Sequence, residues 1–408
     1  MTRLWDKGNP LDARVLSYTA GDDHVLDNRL VRYDIQASIA HAEMLEVQGL
    51  LSAPDLNLIL DALTAIGAEH SSGGWRISLE QEDCQTAIEN LLTARVGAAG
   101  GRLHAGRSRN DQVLAALRLY LRDAAEQLRL GAIAVADALD ALAKRHAAMV
   151  LPGYTHMQQA MPSSVELWAQ GFAAEIRDDA EGLGLTQRRI SKNPLGSAAG
   201  YGTPNLELSR EETRRRLGFF VTQEPVTAVQ LSRGKAESQL LFEITLLAQD
   251  LGRLAADLLL FYTQEFAFVA LPAAFTTGSS IMPQKRNPDV FELVRGRGAV
   301  AQAALGEVLG ITQKLTSGYH RDLQLIKAPL FRGIDSCLQT LEILPSALDG
   351  VTFRPDNIRL DPGIEAAAAA NALVAKEGIP FREAYRRVAA ALEDSAALKA
   401  SAALKDSE

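Results

Sequence analysis

Five stretches of helical periodicity, each far longer than an ordinary globular helix, constrain this chain most. From Val113 to about Met149, Leu114, Leu117, Leu121, Leu128, Val135, Leu139 and Leu142 recur at intervals of three, four and seven. That spacing draws one apolar stripe along a 3.6-residue helix. A second stretch opens at Pro162 and runs to about Ile190. A third opens at Gly234-Lys235 and carries Leu240, Leu241, Ile244, Leu247, Leu251, Leu254 and Leu258. A fourth opens at Pro288 and ends near Gly318, and a fifth covers about Leu325 to Leu348. Helices this long, with no stop signals inside them, pack side by side as a bundle. β-Branched runs of period two are scarce, so the fold class is all-α.

The flanks read differently. A helix is predicted from an N-cap at Asp27 to a stop at Gly49, and another from Ser52 to Ile66 with Pro54 in its first turn. His70 to Gly74 is a polar connection. From Val351 the segments are shorter and alanine-rich, Ala366 to Ala370 above all, and a polar tail follows Lys405. These breaks divide the chain into an N-terminal helical domain (1–112), a central long-helix bundle (113–350) and a short C-terminal helical domain (351–408).

The 408 residues carry a formal charge of -8, which argues against nucleic acid or an acidic membrane surface as the main partner. A small anionic substrate is still compatible, because local arginines and lysines set the field in a cleft. The two cysteines, Cys84 and Cys337, cannot build a disulfide framework and suit a reducing compartment. The start, MTRLWDKGNP, lacks the apolar core of a signal peptide. The most apolar window, Leu258 to Ala274, is interrupted by Gln264, Glu265 and Pro272, and reads as a buried helix. A cytoplasmic protein that does not enter the membrane is expected.

The chemistry-bearing residues sit in the connections. Gly278-Ser279-Ser280-Ile281-Met282-Pro283-Gln284-Lys285-Arg286-Asn287-Pro288-Asp289 puts a hydroxyl, an ammonium and a carboxamide into one glycine-opened loop. Abstracting a proton beside a carboxylate needs such a set: a small base, and fixed donors for the carbanion. Gly106-Arg107-Ser108-Arg109-Asn110-Asp111-Gln112 precedes the first long helix, and Pro152-Gly153-Tyr154-Thr155-His156-Met157-Gln158 follows it. At 1.5 Å per residue that helix is about 50 Å long, and a helix of roughly 45 Å parts Asn287 from Tyr319. If these loops serve one site, antiparallel neighbours in an oligomer must bring them together. Otherwise each is only a helix connection. The seven histidines lack paired ligand spacing, and Gly97 to Gly101 fits neither dinucleotide nor P-loop spacing, so no metal or cofactor is expected.

These loops, in this order, resemble the argininosuccinate lyase family of the fumarase/aspartase superfamily. The match runs from Leu26-Asp27 to about Tyr385. It includes YDIQASIAHAEML at Tyr33 to Leu45, GRSRNDQV at Gly106 to Val113, PGYTHMQ at Pro152 to Gln158, the Gly278 loop, YHRDLQLIK at Tyr319 to Lys327 and GIPFREAY at Gly378 to Tyr385. The resemblance implies three mainly helical domains, with the central one forming a homotetrameric twenty-helix core. It also implies four active sites, each built from three subunits.

The implied reaction is reversible cleavage of argininosuccinate into arginine and fumarate. Ser279 matches the family's catalytic base, with Lys285 neutralising the carboxylate whose charge grows in the transition state. His156 matches the histidine assigned to proton transfer, and Glu292 the carboxylate that pairs with it. Arg109, Asn110, Thr155, Asn287, Tyr319, Gln324 and Lys327 match substrate contacts, and Asp23 falls near the N-terminal one. Bland alternatives stand beside these: a loop-capping Ser279, a solvated Lys285, an N-cap role for Asn287 before Pro288, and a solvated turn at Asp23. The chain departs from the family where Gln85 replaces a histidine, Ala105 a threonine and Gln159 an arginine, and in the Asn193 to Gly202 loop. A sister carbon–nitrogen lyase, or a non-catalytic crystallin-like tetramer, are the competing readings.

Overall fold

The computed structural model describes residues 12–405, with side chains described as far as 394. The polar tail after Lys405 lies outside them. Helix α1 spans Val31–Val47. It starts later than the Asp27 cap signal predicted, because Asp27–Arg29 form a 3-10 turn and the Asp27 carboxylate is engaged elsewhere. Helix α2 covers Ala53–Ser71, where Ser52 accepts the Asp55 N–H at 3.3 Å and Pro54 sits in the first turn. Helix α3 covers Cys84–Val96, capped by Asp83, which accepts the Thr86 N–H at 2.9 Å.

Helix α4 runs unbroken for 37 residues, Arg109–Arg145. It takes in Arg109 and Asn110, which the sequence placed in the preceding loop. The reason is a cap: Asp111 accepts the Ser108 N–H at 3.0 Å while Ser108 Oγ accepts the Asn110 N–H at 3.3 Å. The predicted helix start at Pro162 is wrong. Val150–Thr155 (β1) and Gln158–Ser164 (β2) form an antiparallel hairpin in which Pro152 faces Pro162. Proline has no N–H to give a ladder, and opposing prolines leave none unmet. Helix α5 therefore begins only at Val165, with Ser164 Oγ accepting the Leu167 N–H, and ends at Leu185. Three long helices follow: α6 (Lys235–Tyr262), α7 (Asp289–Thr312) and α8 (Lys327–Asp349). Two more, α9 (Ala366–Glu377) and α10 (Phe381–Lys405), close the chain.

The chain divides into two compact units, and the divisions fall inside α4, α5, α6, α7 and α8. The first unit takes residues up to Ile133, Arg177–Gly252 and Gly296–Glu342. Its core includes Tyr33, Ala37 and Ala40 of α1 packed on Ala115, Ala116 and Leu119 of α4, with Leu217 and Phe219. Small residues on both helices let their backbones approach. At Gly333, a Cβ on α8 would lie 2.6 Å from Leu241 of α6 and 3.3 Å from Ala304 of α7. The second unit takes Ala134–Ile176, Arg253–Arg295 and the chain from Ile343 onward. Its core is aromatic: Trp168 stacks edge-on against Phe172 and Phe353 at 5.6 and 5.8 Å, and its indole N–H donates to Asp257 at 2.9 Å. Among the described residues no helix is long and apolar enough to cross a membrane.

Gly234, just before α6, has φ +85°, and a Cβ there would lie 2.6 Å from Thr312 Cγ2 at the end of α7. Gly234→Ala should cost about 1–2 kcal/mol from the backbone alone, more with the overlap. Its urea midpoint should fall at unchanged slope, and an unshifted midpoint would show the turn to be free to relax.

Candidate active site

Every expected site residue is described, and they divide by unit. Asp23, Arg109, Asn110, Tyr319, Gln324 and Lys327 belong to the first, and Thr155, His156, Ser279, Lys285, Asn287 and Glu292 to the second.

In the first unit Lys327 and Arg109 are already paired with carboxylates. Lys327, the first residue of α8, is buried, and its Nζ lies 2.7 Å from Asp23 Oδ2 and 2.6 Å from Asp27 Oδ1. Burial disfavours the charged carboxylates. It pushes Asp23 up to about 7 against the pull of Lys327, and raises Asp27 in the same direction. Burial works against the Lys327 ammonium too, but the two carboxylates outweigh it and raise its pKa. Gln324 points the same way, its Nε2 donating to the Thr19 and Ala20 carbonyls, each at 3.0 Å. Lys327 and Gln324, expected as substrate contacts, thus hold the N-terminal segment, and Asp23 is a buried ion-pair partner rather than a solvated turn. Arg109 forms ion pairs with Asp83 and, at 3.4 Å, with Glu82, and Arg321 reaches Glu82 at 3.7 Å. Tyr319 is partly exposed, with the Arg233 guanidinium 6.0 Å from its ring centre.

Asp111 anchors the segment that carries Asn110. Besides the Ser108 N–H, its Oδ2 accepts the Gly196 and Ala198 N–H groups at 3.0 and 2.8 Å. Burial pushes it up to about 6 despite these three donors. The sequence reading missed Asp27, Glu82, Asp83, Asp111 and Arg233. Asp27, Asp83 and Asp111 each had the local signal of an acid placed at a helix start, which for Asp27 pointed to a cap and not to an ion pair.

Gln85, Ala105 and Gln159, read from the sequence as departures from the resemblance, all take part in hydrogen bonds, Ala105 through its backbone. Gln85 donates to Asp34 Oδ2 at 2.9 Å, the Ala105 carbonyl accepts His41 Nε2–H at 2.9 Å, and Gln159 ties down Arg359 and Asp361 at 2.8 Å each. Burial pushes Asp34 up to about 6, with Arg107 and Gln85 pulling it back.

In the second unit the loops are open. Thr277 and Asn287 exchange backbone hydrogen bonds at 3.0 and 2.9 Å, closing the Gly278 loop at its base. The Asn287 amide does not cap α7. It donates back across the loop to Thr277 Oγ1 and the Gly278 carbonyl, both at 3.4 Å. Ser279 Oγ, half-buried, accepts the Met282 N–H at 3.2 Å and the Ile281 N–H at 3.4 Å. Such donors stabilise an alkoxide over the neutral hydroxyl. Ser280 and Lys285 are exposed. Thr155 ends β1, and His156 and Met157 make the two-residue turn with φ of 52° and 62°, a left-handed pair built without glycine. Backbone strain of this kind concentrates where it positions functional groups. His156 and Glu292 are both exposed, and among the described residues no hydrogen bond or ion pair joins them. No cluster of three metal-binding side chains occurs among the described residues.

Asp34 generates a pH prediction. Its folded pKa lies above that of a free aspartate, so the stability tied to its proton is complete below about pH 4 and is lost as pH rises through about 6. Asp34→Asn should remove that fall. The free energy of unfolding of the parent, relative to the variant, should drop by on the order of 1–3 kcal/mol between pH 4 and 7. Parallel curves would place the titration elsewhere.

Comparison with known proteins completes the picture. A family profile described as Lyase matches residues 12–303. Argininosuccinate lyase of Sorangium cellulosum (strain So ce56) is 46% identical over 404 residues, covering 99% of this chain and 94% of that protein. Argininosuccinate lyase of Xanthomonas axonopodis pv. citri (strain 306) is 45% identical, covering 96% and 90%. Among solved structures, EDDS lyase in complex with formate superposes with a TM-score of 0.77 at 25% identity, covering 95% of this chain and 78% of that one. Class II fumarase from Schistosoma mansoni shares the fold at a TM-score of 0.78 and 18% identity, covering 95% and 91%.

Proposed function

The chain belongs to the argininosuccinate lyase family, within the fumarase/aspartase superfamily, and from that membership we propose that it cleaves argininosuccinate reversibly into arginine and fumarate. The observation that carries the reading is the Gly278 loop. It presents a serine oxygen facing two backbone N–H donors, with Lys285 and Asn287 on the same loop and its base closed by the Thr277–Asn287 bridge.

Ser279 acts as the base. It removes the proton from the succinyl carbon beside a carboxylate, and Lys285 offsets the charge of the resulting aci-carboxylate. The C–N bond then breaks and the guanidinium leaves with a proton, from His156 or from water that it holds. Asn287, Thr155, Arg109 and Asn110 bind the carboxylates. A two-ended site of this kind rejects other leaving groups, because a wrong one leaves buried polar groups unpaired. The sister-lyase reading lacks a supporting observation at Gln85 and Gln159, whose side chains are engaged in structural bonds.

The active assembly is a homotetramer in which the loops of different subunits meet. Three features support this: α4 alone is about 55 Å long, His156 and Glu292 lack each other within one chain, and large apolar side chains such as Leu167, Leu185 and Leu293 are exposed on the long helices.

Purified protein given argininosuccinate should release fumarate and arginine in equal amounts, and slowly make argininosuccinate from fumarate and excess arginine. Turnover of adenylosuccinate or aspartate instead would replace this reading with the sister lyase. Ser279→Ala should lower kcat on the order of 10²-fold or more with little change in binding or melting temperature. Normal kcat in that variant, with loss in Ser280→Ala, would move the base by one residue. Mixing inactive His156→Asn and Ser279→Ala proteins should restore partial activity through hybrid tetramers, and a monomer by light scattering would rule that out.

A further inference from the structure

Arg233 is buried, at 6% exposure, in the turn between the Ala228–Leu231 helix and α6. Its Nε and Nη1 have no hydrogen-bond partner, and no ion pair involves it among the described residues. Its guanidinium lies over the Tyr319 ring, 6.0 Å from the centre. A buried guanidinium is costly unless its charge and its N–H groups are met. The surroundings do not meet them. Arg118, also buried, repels Arg233, and the buried Glu237 carboxylate attracts Arg118 while its own Oε1 has no hydrogen-bond partner. Arg118 is held by the Lys192 carbonyl and, at 2.7 Å, by Ser232 Oγ, leaving only its Nε unpartnered, whereas Arg233 has both Nε and Nη1 unmet. The amide of neighbouring Gln230, buried as well, is unpartnered at both ends.

Resting on the lyase reading above, we propose that Arg233, with the Gln230 amide beside it, is a carboxylate-binding residue of the substrate site, acting alongside Tyr319. An arginine fork takes both oxygens of a carboxylate, which is the group that would satisfy donors left unmet in a buried position. The succinyl half and the amino-acid half of argininosuccinate both carry carboxylates, so the shared chemistry is one carboxylate held over Tyr319.

The test compares parent, Arg233→Met and Arg233→Lys, using melting temperature alone, then with fumarate or arginine, and steady-state kinetics on argininosuccinate. Removing an unpaired buried charge leaves the melting temperature of the free Arg233→Met protein unchanged or raised. Its KM should rise on the order of 10²-fold, and the thermal shift given by one of the two ligands should vanish. Loss of the arginine shift assigns the residue to the amino-acid end, and loss of the fumarate shift to the succinyl end. Arg233→Lys, which keeps charge but not the fork, should recover only part of KM. Should Arg233→Met not fold, Arg233→Lys alone decides, since an intact KM with both shifts retained overturns the proposal. A parent that fails to cleave argininosuccinate refutes the lyase reading instead, and does so before any variant is made.

Discussion

One ammonium group shared by two buried carboxylates organises the first unit. Lys327 sits between Asp23 and Asp27, and neither acid has another cation within ion-pair distance among the described residues. Taking three charged groups out of water is tolerable only while they face each other, so this contact is more a constraint than a source of stability. It ties a segment near the chain start to the first turn of α8, with Gln324 fastening Thr19 and Ala20 beside it. Deleting the lysine would leave two carboxylates buried without a counter-ion. Deleting one aspartate would leave a matched pair, so the two losses are not equivalent.

The two units present opposite electrostatic conditions. In the first, Arg109, Arg321, Glu82 and Asp83 are mutually paired, and Asp111 is saturated with backbone donors. These groups are preorganised and have little freedom to reorient. In the second, Ser279, Lys285, His156 and Glu292 lie in open loops whose backbones are fixed while their side-chain heads face solvent. Proton abstraction from carbon requires low dielectric and excluded water around the base. Open loops of this kind become competent when another surface covers them, which is what an assembly of subunits supplies in the proposed mechanism.

The positions where this chain departs from its family read differently once their contacts are known. Gln85 serves Asp34, the Ala105 carbonyl serves His41, and Gln159 fastens the Arg359–Asp361 segment. Each makes a local tie. Substitution at such places retunes packing and pKa more readily than it removes a reacting group.

The long helices were legible in the residue pattern because a 3.6-residue repeat is a local property, visible in any window a few turns wide. So were α6 from Gly234-Lys235 and the chemistry of the Gly278 loop, whose groups lie within a dozen residues of one another. Pro162 misled because the same proline that opens a helix also suits the strand of a hairpin when another proline, Pro152, faces it. What the sequence by itself determined was therefore the fold class, the approximate length of the helices and which polar groups share the Gly278 loop. Only the tertiary structure decided which charges would be spent on holding the fold. Asp27 resembles a helix cap in sequence, yet its carboxylate meets a lysine 300 positions away. Arg233 carries no sequence signal, yet it is buried with two guanidinium nitrogens unpartnered. Partner choice among buried charges depends on desolvation and on contacts between residues remote in the chain, and neither quantity is a property of a local window.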